Sequence, residues 1–168
     1  MPVSDFIARL RQKVGHDLLF VPAVAVVARN HAQELLLVQD SETKLWGCPG
    51  GSIEPVELPS DAAVRETWEE SGVFVELDRV LGVFGGEQCG GTYGNGDRIA
   101  WVATVFAAHV LEGHPSPDGV ETSSARFFSA AQLQALPLSD HTRRYLAAER
   151  AQTEGTYFAP SAWRPSAA

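Results

Sequence analysis

Cysteine is nearly absent from this chain of 168 residues: Cys48 and Cys89 are the only two. They show neither CxxC spacing nor the density that staples a small secreted domain, so both are expected as reduced, partly buried thiols. Long apolar runs are missing too; nothing approaches the roughly 18 consecutive residues that a membrane helix needs. Basic residues are in deficit, with 13 Lys and Arg against 21 Asp and Glu, a formal net charge of −8 and no basic stripe. That balance argues against gripping duplex nucleic acid through many phosphate contacts. It leaves room for a small anionic substrate, because a bound cation inverts the field of an acidic site. No internal repeat is visible. The opening MPVSDFIARLRQKVGHDLLF has no apolar core followed by a small-residue cleavage site, so no secretion signal is read and the cytoplasm is the expected location.

What is present is globular: 45% hydrophobic and 20% charged residues, enough for one domain. The expected domain is 1–152, including a short N-terminal helix, with 153–168 as a tail or arm. Residues 4–14 set Phe6, Ile7, Leu10 and Val14 at helical spacing behind Ser4 as cap. A β-branched apolar run at 18–28 and a second apolar stretch within 34–40 predict adjacent strands joined by a polar turn at Asn30 and His31, with the pairing direction left open. Residues 73–86 read as one or two strands bending at Asp78-Arg79. A glycine-rich loop at 86–97 with the hairpin signal Asn95-Gly96 precedes a long strand at 98–113. A loop at 113–124 brings Glu121 to the start of a short strand at 125–128. Ser129 then caps a helical turn, and Ser139 or Asp140 caps an amphipathic helix over 139–151, with His141 read as surface. The tail carries Tyr157, Phe158 and Trp163; it reads as disorder or as an arm over a partner, which keeps a homodimer in view.

Chemistry concentrates in residues 50–73, GGSIEPVELPSDAAVRETWEESGV. Glu66, Glu69 and Glu70 recur at i, i+3, i+4, which places them within an arc of about 100° on a helix. Like charges so close cost a few tenths of a kcal/mol per pair unless a cation covers them, and a hard divalent ion such as Mg²⁺ prefers carboxylate oxygen. Pro49-Gly50-Gly51 offers backbone N–H groups that can hold a phosphate oxygen or a water. The helix should open at Pro59 or Ser60 and stop at Gly72. Val64 and Trp68, opposite the carboxylates, are predicted as its sheet-facing side. Arg65 suits a forked charged bond to Glu57 or to the preceding loop. Glu121 is a candidate metal ligand or general base. Trp46, Gln88 and Tyr93 are candidates for base or sugar contacts, with a core or rim role the plainer reading of Trp46.

From Gly51 to Val73 the spacing of Gly51, Glu57, Arg65-Glu66, Glu69-Glu70 and Gly72 resembles the Nudix box of the Nudix hydrolases. Every charged and glycine position is met over 23 residues. Thr67 stands at a normally aliphatic position, and Val56 where many members have glycine. The YGNGD segment at 93–97 and the following strand look like a bacterial subgroup. The resemblance implies an α/β fold, an α/β/α sandwich around a mixed sheet. It implies Mg²⁺ or Mn²⁺ on Glu66, Glu69 and Glu70, with Glu57 assisting directly or through water and the Gly50 carbonyl helping to place metal or water. Arg65 would orient a box carboxylate, and Glu66 and Glu121 both stand as the general base. The implied reaction is hydrolysis of a pyrophosphate bond in a small nucleotide substrate, a nucleoside diphosphate derivative such as ADP-ribose. The alternatives are a nucleoside triphosphate pyrophosphohydrolase and a non-catalytic nucleotide-binding regulatory domain.

Overall fold

A computed structural model describes residues 5–151, 155–157 and 159; the expected Ser4 cap, Phe158 and Trp163 lie outside them. Seven strands form one mixed sheet. β1 (Leu19–Arg29) turns at Asn30 into the antiparallel β2 (Leu35–Asp40), which carries the two-residue β3 (Trp46–Gly47) and, on its other side, β7 (Thr122–Phe128). β1 also pairs in parallel with β6 (Arg98–Gly113), and β6 pairs antiparallel with β4 (Val73–Phe84) and β5 (Gly90–Thr92). β4 is one continuous strand whose register shifts at Leu77/Arg79, where the sequence predicts a bend. The turn Tyr93–Asp97 closes the β5–β6 hairpin: the Tyr93 N–H donates to the Asp97 carbonyl at 2.9 Å.

Side-chain alternation along β1 and β2 creates two cores. Ala25, Val27, Leu35 and Leu37 face Tyr145, Leu146 and Ala148 of helix α4 (Asp140–Ala151). Val24, Val26, Ala28 and Leu36 face Ala62 and Ala63 of helix α2 (Pro59–Ser71). A sheet apolar on both faces must be covered on both, and the two helices do so, giving the expected sandwich. Arg29 pins α4 to the end of β1 by a forked bond to Glu149 at 2.9 and 2.8 Å. The short helix α3 (Ala130–Leu133) starts with a capping box between Ser129 and Gln132.

Helix α1 (Asp5–Val14) is tied to the hairpin rather than to either core. Arg11 donates to the Arg98 carbonyl at 2.7 Å and lies 3.6 Å from the Asp97 carboxylate, which His16 also meets at 2.8 Å. Past α4 the chain returns to the free edge of β4. The Tyr157 N–H donates to the Leu81 carbonyl at 2.8 Å, the Val83 N–H donates to the Tyr157 carbonyl at 3.0 Å, and the Tyr157 ring stacks on Phe84. Tyr157 is thus laid on this chain's own sheet.

Helix α2 differs from its prediction in which side it buries. Its inward residues are Ala62, Ala63, Glu66, Thr67, Glu70 and Ser71, while Trp68 is 52% exposed. The small residues allow close approach to the sheet. The hydroxyls are satisfied within the helix: Thr67 donates to the Ala63 carbonyl at 2.7 Å and Ser71 to the Thr67 carbonyl at 2.5 Å. The helix ends where the sequence places its stop, at Gly72 in the left-handed conformation.

Candidate active site

Two adjacent glycines bring the loop and the helix together. The Gly51 carbonyl accepts from Val24 N–H and the Pro49 carbonyl from Val26 N–H, both at 2.9 Å, so this segment runs along β1. A Cβ on Gly50 would fall 2.3 Å from the Val24 carbonyl oxygen, and one on Gly51 would fall 2.6 Å from the Glu66 carboxylate. Glycine is therefore required at 50 for the backbone to lie on β1, and at 51 it leaves the room that the Glu66 carboxylate fills. The Gly50 N–H donates to Glu70 at 3.0 Å.

The carboxylates occupy different environments. Burial pushes Glu70 up to about 8, opposed by its bond from Gly50 and reinforced by Glu66, Glu121 and Asp118. Burial also raises Glu66 and Glu121. Arg65 gathers the rest. Its Nε and Nη2 make a forked bond to Glu57 at 2.8 and 2.9 Å, and its Nη1 donates to Glu66 and Glu69, each at 2.9 Å. The guanidinium is raised above its ordinary range by these bonds, Glu57 first, and Glu57 is lowered by the same contact. Among the described residues, no three His, Cys, Asp or Glu side chains are drawn together to enclose an ion; Arg65 is the cation at the centre of this cluster. The residues nonetheless fit a hard divalent ion. All are oxygen donors, and Glu70 lies buried among like charges with no cationic partner among the described residues.

Glu121 reaches this wall through a tight loop. Asp118 accepts from the backbone N–H of Val120, Glu121 and Thr122, and the Thr122 hydroxyl lies 3.0 Å from the Glu70 carbonyl. Gly50, Glu70 and Glu121 share a cleft of about 900 Å³ with Gln88 and Tyr93, a volume suited to a nucleotide-sized ligand. Trp46 does not line that cleft. It is 7% exposed and packs edge-on against Phe128 at 4.7 Å, a core aromatic fixed by β2–β3 pairing. Leu45, its neighbour in the chain, is 38% exposed and lines the cleft instead.

A family model for the NUDIX domain matches residues 19–148. The chain belongs to the Nudix hydrolase family. This Nudix hydrolase resembles a Bacillus subtilis (strain 168) protein whose name gives 8-oxo-dGTP diphosphatase as a provisional activity, with 26% identity over 126 residues covering 75% of the chain and 78% of that protein. Its fold matches the crystal structure of a MutT Nudix hydrolase from Burkholderia pseudomallei (26% identity, TM-score 0.62, 77% of this chain and 98% of the other). It also matches that of an ADP-ribose pyrophosphatase from Streptococcus suis (25% identity, TM-score 0.62, 82% and 96%). As a Nudix hydrolase it acts on phosphoanhydride bonds by a pyrophosphohydrolase reaction, chemistry for which family members typically use divalent metals.

Sequence reasoning missed one wall of the Nudix cleft. Trp101, His141 and Arg144 line it, brought there by the register of β6 and by the start of α4. His141, read as surface, is half-buried, with its ring edge-on to Trp101 at 5.0 Å, and burial lowers its pKa. The available signal was the Ser139 cap: it fixes where α4 begins, the Ser139 hydroxyl accepting from Thr142 N–H at 3.3 Å, while the Cys48 N–H donates to the Thr142 hydroxyl at 2.9 Å. A helix start anchored to the loop before Pro49 must present its first turn to the same cleft.

Proposed function

We propose that the enzyme hydrolyses the pyrophosphate bond of a nucleoside diphosphate derivative, such as ADP-ribose or another nucleotide sugar, with Mg²⁺ or Mn²⁺. The observation that carries this reading is the two-walled cleft. Buried, mutually repelling carboxylates and Gly50 form one wall, and an aromatic wall with Trp101 and Tyr93 faces the moiety to be held. Glu66, Glu69 and Glu70 would hold the ion with the Gly50 carbonyl, and Glu57 would assist from its place beside Arg65. A divalent ion there supplies charge neutralisation on the phosphoryl oxygens and a bound water of lowered pKa. Arg65 orients the box carboxylates, and Glu121 or Glu66 accepts the proton of the attacking water. Gln88 and Tyr93 contact the base or sugar. The likeness to the Streptococcus suis ADP-ribose pyrophosphatase supports this substrate class. The name of the Bacillus subtilis relative supports a second reading, nucleoside triphosphate pyrophosphohydrolysis.

Product analysis over nucleotide sugars, dinucleotides and triphosphates, with Mg²⁺ and with Mn²⁺, separates the two: a nucleotide sugar gives two phosphomonoesters, read as phosphate after alkaline phosphatase, whereas a triphosphate gives a nucleoside monophosphate and pyrophosphate, read as phosphate after inorganic pyrophosphatase. Glu69→Gln and Glu70→Gln should each lower turnover by orders of magnitude while the protein stays folded; unchanged turnover in either removes the metal assignment. Glu121→Gln should cost about 10²- to 10⁴-fold and remove the acidic limb of the pH–rate profile, where protonation of the base suppresses turnover, if Glu121 is the base; if neither change is seen, Glu66 remains.

A further inference from the structure

The α4 wall of the cleft carries positive charge that the proposed chemistry does not use. In a chain of net charge −8, Arg11, Arg29 and Arg65 each lie against carboxylates. Arg143 and Arg144, which line the cleft, have no carboxylate partner among the described residues. Arg144 is half-buried; its Nη1 lies 3.6 Å from the Cys89 sulfur and its Cζ lies 5.9 Å from the Phe84 ring centre. Neither contact neutralises a guanidinium, and an uncompensated half-buried charge is costly. His141 lines the cleft beside the two arginines, its ring edge-on to Trp101 at 5.0 Å. The acidic side chains on this stretch leave the demand standing. Asp40 is occupied within its own turn, accepting from the Thr43 hydroxyl and from the N–H groups of Glu42 and Thr43. Asp140 is exposed in the first turn of α4.

The spacing of the walls is legible from strand register. Trp101, against which His141 packs, pairs with Val21, whereas the Gly51 carbonyl is bonded to Val24. Three residues of β1 separate them, about 10 Å at 3.3 Å per residue. The acidic wall needs a cation to meet a phosphate. The α4 wall can meet one directly, with guanidinium forks and the positive end of a 12-residue helix.

We propose that Arg144, Arg143 and His141 form an anion-recognition subsite, and that the substrate carries a second phosphate, a monoester on its ribose, remote from the pyrophosphate that is cut. This rests on the proposed function for the position of the pyrophosphate, and its test reads binding as well as turnover. By calorimetry with Mg²⁺ present, adenosine 2′,5′-bisphosphate or adenosine 3′,5′-bisphosphate should bind about tenfold or more tightly than AMP, the scale of one charged hydrogen bond. The two bisphosphates distinguish the ribose position. In parallel, kcat/KM for NADP⁺ should exceed that for NAD⁺, which lacks only the 2′-phosphate, if the 2′ position is read. Arg144→Gln and Arg143→Gln should each reduce the bisphosphate advantage, and the double variant should bring it to near unity with AMP affinity kept. Because Arg144 packs on Phe84, a misfolded Arg144→Gln leaves the decision to the exposed Arg143→Gln. Equal binding of mono- and bisphosphates by the wild type overturns the subsite, as does an advantage that survives these substitutions. Absence of turnover on every nucleotide overturns the hydrolase reading alone, since the binding ratio still decides the subsite.

Discussion

Val56 adopts a left-handed backbone (φ 68°) with its side chain fully exposed. A β-branched residue there is strained, by about 1–2 kcal/mol, and its side chain is not buried in return. Val56→Gly should therefore stabilise the fold by about 0.5–1 kcal/mol after the extra freedom glycine gives the unfolded chain; the midpoint of urea unfolding measures it, and a lower midpoint would refute the strain. This departure from the box was visible in the sequence, and its conformation followed from the glycine expected there. His141 was not legible in the same way. Its burial depends on Trp101, forty positions earlier in the chain, and the packing of a helix on a distant strand leaves no local trace. Burial and Arg144 lower its pKa, with Asp140 opposing, so the folded state favours the neutral ring. As pH falls through the ordinary histidine value of about 6.5, the unfolded chain takes the proton first and this contribution to stability is lost. Urea unfolding at pH 7.5 and 5.5 should show that loss in the wild type relative to His141→Gln. The difference between the two proteins is the measure, because Glu66, Glu70 and Glu121 are raised and act in the opposite sense.

Among the elements, the strands were the most legible and α2 the most deceptive. β1 and β6 read as buried because both faces are apolar, and each lies between neighbours on either side. Helix α2 shows why an apolar stripe can mislead: its buried side carries Glu66 and Glu70 together with alanines, threonine and serine. A helix that serves a polar site turns carboxylates inward and leaves its largest apolar residue, Trp68, half in solvent. Trp68→Gln should accordingly change stability by no more than about 0.5 kcal/mol. Ala63→Leu, at a position with no exposure, should cost about 1–3 kcal/mol by overpacking. Thermal melts of the two variants test the orientation; the reverse order of effects would contradict it.

For the molecule as a whole, the excess of negative charge is concentrated where an ion is expected. Mg²⁺ that binds only the folded state stabilises it by about 2.7 kcal/mol at a hundred times its Kd, so melting temperature should rise with Mg²⁺ and fall back in EDTA. Burial holds Glu70 largely protonated below about pH 8 when no ion is bound, so in EDTA at pH 9 Glu70→Gln removes a buried charge and the variant should melt higher than the wild type, while on either side of that pH it should gain less from Mg²⁺. No metal-dependent shift in the wild type would argue against a divalent site. The return of Tyr157 to β4 has a consequence for solution behaviour. It occupies the Val83 N–H and the Leu81 carbonyl on the outer edge of the sheet, groups that would otherwise invite another strand. A chain cut after Ala151 keeps the fully buried residues of both cores but loses the Tyr157 ring on Phe84 and this cover, and light scattering should then register concentration-dependent self-association that the uncut chain resists.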